Sequence, residues 1–158
     1  MIKFATLTAT AVAVIALWAS QLPAQAAGDT AANKKLAIEA LMETLVKGNA
    51  GVIDKYFGPE YIQHNPDIPD GTEALKGLIN ELSSRGKFSA EFTRTIAEDN
   101  MVAFHGRYEG FGPTPMIAFD VFRLEDGKIV EHWDNLIPEA APNPSGHTAR
   151  RRDRDHGA

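Results

Sequence analysis

"MIAFDVFRLEDGKIVEHWD", residues 116–134, alternates apolar and polar side chains on either side of the turn signal Asp126-Gly127. That is the signature of two antiparallel strands joined as a hairpin. Its register decides the inner face of the sheet, because a slip of one residue sends every side chain to the other face. A three-residue loop, Glu125-Asp126-Gly127 with Gly127 left-handed, pairs Leu124 with Lys128, Phe122 with Val130, Asp120 with His132 and Ala118 with Asp134. Those side chains then share one face. Phe119, Val121, Arg123, Ile129, Glu131 and Trp133 take the other. The alternative is a two-residue loop, which shifts the pairing by one and separates Asp120 from Asp134. The three-residue form is the expectation.

Upstream, Phe88, Ala90 and Phe92 alternate with polar residues as a half-buried strand, and "EDN" (98–100) turns into a second, Met101 to Tyr108. The loop "GFGPTP" (110–115) leads into the hairpin. Before the strands the period is helical. Ile38, Leu41, Met42 and Leu45 form one stripe, with Glu43 and Lys47 paired on its outer side. Asn49 is placed to cap a short helix holding Val52, Ile53, Tyr56 and Phe57, which Gly58-Pro59 should end. "YIQHNP" (61–66) is extended, and Thr72 is expected to cap a third helix with the stripe Leu75, Leu78, Ile79, Leu82. Three helices followed by an antiparallel meander make an α+β layout, helices on one face of a curved sheet.

The chain opens with Lys3, a short apolar run "AVAVIALWA" (11–19) and "PAQA" (23–26), the pattern of a secretory signal cleaved near Ala26. The expected organisation is a signal peptide over 1–26, one domain over 27–148 and a disordered charged tail over 149–158. The expected location is the periplasm or the medium. With no cysteine, a disulfide framework is excluded and the hydrophobic core must hold the domain together. Residues 27–148 carry 11 Lys+Arg against 19 Asp+Glu, an excess of eight negative charges. An acidic body argues against nucleic acid and anionic membrane surfaces as partners. The "RRRDRD" run has no apolar residue to bury.

The stretches "YIQHNP", "MVAFHGR" (101–107), "FDVFRLEDGKIVEHWD" (119–134) and the ending "NPSGHT" together resemble the SnoaL-like polyketide cyclases of the nuclear transport factor 2-like superfamily. The likeness is strongest to the bacterial branch described as predicted SnoaL-like aldol-condensation enzymes, and it covers residues 30–148. The resemblance implies a cone-shaped barrel: a strongly curved antiparallel sheet packed on three N-terminal helices and enclosing a pocket. It also implies chemistry without metal or organic cofactor, in which a pocket aspartate removes a proton next to a carbonyl. The matching position is Asp134. The family's neighbouring polar residue falls at Asp120, where true cyclases carry histidine.

Asp134, Asp120 and His132 are therefore the candidate catalytic residues. A carboxylate in an apolar pocket loses hydration and gains basicity, and nearby titratable groups can divide into acid and base. The structural alternatives are a strand-end acceptor at Asp134, an arginine partner for Asp120 and a buried imidazole donating to a carboxylate at His132. Tyr61, His64, His105 and Phe122 are the candidate substrate contacts. His64 is placed at the pocket rim or in solvent, with Gln63 turned the other way; His105 shares a strand face with Met101, Ala103 and Arg107. No metal is expected, since the histidines lack ligand spacing such as H-E-x-x-H; the alternative is an iron site from His64, His105 and Asp134. No G-x-S-x-G is present and no phosphate-cradling glycine loop opens a helix. The partner implied is a small molecule, with no membrane contact after signal cleavage. Trp133, Phe119, Val121 and Ile129 should form an apolar outer face that supports a homodimer.

Overall fold

The computed structural model describes residues 29–149. The segment read as a signal peptide, and residues 150–158 of the charged tail, lie outside that range. Helix α1 (Thr30–Leu41) runs into a π turn (Met42–Val46), and a 3-10 turn (Ala50–Val52) leads to α2 (Ile53–Tyr56). Strand β1 (Phe57–Gln63) and α3 (Thr72–Arg85) follow, and then β2 (Ser89–Glu98), β3 (Met101–Glu109), β4 (Met116–Glu125) and β5 (Lys128–Pro138). Asp29 caps α1, its carboxylate accepting from the Ala31 and Ala32 amides at 3.0 and 3.3 Å. Asn49 caps the 3-10 turn through Gly51 N, 3.1 Å away. Thr72 does not cap α3; it is the first helical residue, after Gly71, which offers no side chain.

The first helix buries a face rotated from the expected stripe. Asn33, Ala37, Ala40, Leu41 and Thr44 are buried, while Ile38, Met42 and Leu45 are only partly covered. Alanines let the helix axis approach the sheet closely, so the larger residues pack along its flanks.

The sheet order is β1-β5-β4-β3-β2, and β1 runs parallel to β5. The sheet is thus mixed and open, not purely antiparallel, with the helices on its inner side in a cone-like α+β arrangement. Phe57 belongs to β1, not to the second helix, and Gly58-Pro59 lies inside that strand. Because β1 is an edge, the missing amide of Pro59 breaks no ladder on its open side.

The last hairpin differs from the expected register in an informative way. Its turn is the two-residue form: Glu125 pairs with Lys128, and Asp126 and Gly127 both have positive φ, 48° and 71°. Leu124 then pairs with Ile129, but Arg123 pairs with Glu131, so Val130 is bulged out. The bulge adds one residue and restores the parity that the short turn removed. Phe122 faces His132 and Asp120 faces Asp134 directly. Ile129 is consequently buried in the core against Leu124 rather than on the outer face.

Candidate active site

Between the helices and the sheet lies a pocket of about 490 Å³ of free space, counted through its open mouth. Leu41, Leu45, Phe57, Leu75 and Phe111 form apolar wall. The polar end is built by alternation on four strands: Tyr61 and Gln63 from β1, His132 and Asp134 from β5, Asp120 from β4 and Tyr108 from β3.

These groups hold one another. Tyr108 donates its hydroxyl hydrogen to Asp120 Oδ2 at 2.5 Å, the short length of a bond to a carboxylate. Asn65 N–H donates to Gln63 Oε1 at 3.0 Å, which identifies that atom as the oxygen of the amide. His132 Nδ1 lies 3.1 Å from the same oxygen and so must carry a hydrogen. The other ring nitrogen, Nε2, lies 3.3 Å from Asp120 Oδ1. That contact completes a chain of polar groups from Tyr108 through Asp120 and His132 to Gln63. The His132 ring also stacks on Phe122, centroids 4.4 Å apart and planes within 10°. Gln63 Nε2 donates to the Tyr61 hydroxyl at 3.1 Å, and that hydroxyl's own hydrogen meets no acceptor among the described residues.

Asp134 is half-buried and is held differently. A single nitrogen, Asn65 Nδ2, donates to both of its oxygens at 2.8 Å. Burial raises its pKa above the usual carboxylate range, against the lowering effect of the Asn65 bond and of His132. Burial also raises both pocket phenols, Tyr61 and Tyr108, with the carboxylates adding to it, so both stay protonated. Among the described residues, Asp120, His132 and Asp134 could by distance hold a metal ion, their nearest ligand atoms lying within 4.8 Å of one another. Here those atoms are engaged by one another, by Tyr108 and by Asn65.

The structure brings Asp134, Asp120, His132, Tyr61 and Phe122 to the pocket. It sends His64 and His105 to the other face of the sheet. His64 stacks on Trp133 (centroids 4.7 Å apart) and bonds Glu131 Oε1 at 2.8 Å; His105 stacks on Phe119. Of the two placements open for His64 the structure takes the outer one, not the substrate contact, because alternation along β1 turns Tyr61 and Gln63 inward. With both histidines outside, they cannot join Asp134 as an iron site. Gln63, Asn65 and Tyr108 are the site residues that sequence reasoning missed. For Tyr108 the signal was present, since it shares the strand face opposite His105.

A family model described as the SnoaL-like domain matches residues 38–132, more than half of the chain. The chain belongs to the SnoaL-like domain family. Solved structures of similar fold include TsrD from Streptomyces laurentii, 21% identical over 68% of this chain and 90% of that one, TM-score 0.59. An epoxide hydrolase of M. tuberculosis, described as LEH-like, is 19% identical over 68% and 84%, TM-score 0.57. A candidate ketosteroid isomerase from Kribbella flavida is 17% identical over 73% and 85%, TM-score 0.61. At these identities the likeness is one of fold. No curated protein matches the chain in sequence.

Proposed function

We propose that this SnoaL-like domain removes a proton next to the carbonyl of a small apolar substrate, with Asp134 as the base and no cofactor. The observation that carries the reading is one carboxylate, its basicity raised by burial, opening on an apolar pocket beside the His132–Asp120 pair. Asp134 accepts the proton from carbon; Tyr61, its hydroxyl hydrogen uncommitted, donates to the oxygen on which the enolate charge develops. Asp134 then returns that proton to the product, His132 and Asp120 tune its charge, and Phe122 and the apolar wall seat the substrate. Whether the enolate then closes a ring, shifts a double bond or expels a leaving group depends on the substrate.

Proton abstraction is read directly by exchange. Small ketones and β-diketones are incubated with protein in heavy water and loss of their α-hydrogens is followed by NMR. The native protein should accelerate exchange for at least one compound, and Asp134→Asn should reduce that rate by about 100-fold or more. No acceleration across the panel would support the alternative reading, a non-enzymatic ligand-binding module on the same fold.

We also propose that the mature protein is exported, which N-terminal sequencing of the purified protein checks, and that it is a homodimer through the outer sheet face. Trp133, Val121 and the 53% exposed Phe119 lie on that face.

A further inference from the structure

The geometry points to Asn65 as the positioning residue of Asp134: its amide nitrogen reaches both oxygens of the carboxylate and aims it into the pocket. The orientation of that amide is fixed. Asn65 Oδ1 accepts from Asp67 N at 2.9 Å, so a flip would break this bond and turn oxygen toward carboxylate. The backbone around it is anchored as well. Asn65 N bonds Gln63 Oε1, Gln63 N bonds Asp70 Oδ1 at 2.7 Å, and Gly71 N bonds Tyr61 O at 2.8 Å. Pro66 holds Asn65 extended. A short loop tied at both ends to the strand that carries Tyr61 and Gln63 thus presents one donor to the proposed base.

The charges that act on Asp134 come from the sheet and the loop, not from the helices. Asp120 on β4 and Asp67 in the loop oppose its ionisation, and His132 on β5 favours it. The phenols Tyr61 on β1 and Tyr108 on β3 are neutral. The helical wall residues Leu41, Thr44, Leu45, Leu75 and Leu78 carry no charge. Asn65 is the largest influence on the side of the carboxylate, and among the described residues it is the side chain that hydrogen-bonds it. Without Asn65, the carboxylate loses a donor that recognises its charged form and gains freedom to rotate. It becomes a stronger base that is ionised over a narrower pH range.

The proposal rests on Asp134 being the base, but its test needs no substrate. The carboxyl ¹³C resonance of Asp134 is titrated in the native protein and in Asn65→Ser. Serine can still accept from Asp67 N, as such turns do, but it is too short to reach Asp134. The midpoint should rise by about one pH unit. Asn65→Ala serves as the second variant should serine perturb the loop, with circular dichroism confirming the fold. A midpoint that is unchanged or lower in a folded variant overturns the proposal. That outcome is separable from failure of the base assignment, which the exchange experiment with Asp134→Asn reads independently. If exchange is found, Asn65→Ser should move its pH profile toward alkaline pH by the same interval, with the alkaline plateau maintained or higher. A merely structural role would lower the plateau without moving the midpoint.

Discussion

Asp134 sits against two opposing influences, burial that penalises its charge and an asparagine that stabilises it, and burial is the larger. The sign of its effect on stability follows. A carboxyl whose folded pKa is raised binds a proton more tightly in the native state than in the unfolded chain. Stability therefore falls as pH rises from the ordinary carboxylate value through the raised one, and the loss is complete above it. Asp134→Asn should remove that dependence. We expect the variant to melt higher than the native protein at pH 7, by about 1–3 °C, the gain being limited because the group is half in solvent. The two should converge near pH 3. A lower melting temperature at pH 7 would make Asp134 a structural acceptor. Asp120 is the contrasting residue on the facing strand. It is buried and bonded by Tyr108 and His132; the hairpin pattern already put His132 on its face, whereas the Tyr108 bond depends on how a third strand registers.

Among the elements, the β4–β5 hairpin shows how backbone conformation decides the effect of one methyl group. Gly127 has φ 71° and nothing lies within 4 Å of an added Cβ, so Gly127→Ala should cost about 1–2 kcal/mol from the left-handed conformation alone. Gly77, exposed inside α3, also has nothing near an added Cβ. There the same change should stabilise by about 0.8–1 kcal/mol, because alanine is the better helix former. Urea denaturation of both variants checks the pair; equal signs would mean that one of the two backbone assignments is wrong. The bulge at Val130 is the other consequence of this hairpin. The tight Asp126-Gly127 turn by itself would place Asp120 opposite Trp133, and the bulge brings it opposite Asp134. At Gly58, where a Cβ would come within 3.1 Å of Val130 Cγ1, the edge strand leaves room for the bulged side chain.

At the scale of the molecule, the sheet has a pocket face and an outer face, and the outer one exposes apolar side chains beside its ion pairs. Phe119 is 53% exposed and Ile96 66%, in a band with Trp133, Val121 and Ala103. An apolar band of this kind on a sheet favours association with a second sheet. Phe119→Asp should shift the protein toward monomer in analytical ultracentrifugation at micromolar concentration, with its circular dichroism unchanged. A native protein already monomeric there would remove the homodimer proposal.

Local sequence was sufficient for the presence of three helices, for the β2–β5 meander and for the α+β class, because amphipathic period and turn chemistry are properties of a few adjacent residues, but not for β1 or the hairpin register. The likeness to the SnoaL-like family likewise rested on short stretches, and the family match agrees with it. Asp120, Phe122, His132 and Asp134 could be placed on one face of the sheet because alternation survives any even shift of register, and the resemblance to the family made that face the pocket's. Tertiary structure decided what depends on residues distant in the chain: the parallel docking of β1 on β5, the bulge, the inward turn of Gln63 and the outward turn of His64 and His105. It also decided the reach of Asn65 across 69 positions to Asp134. Such contacts follow from how strands and loops meet around a shared core, and no window of neighbouring residues contains that information.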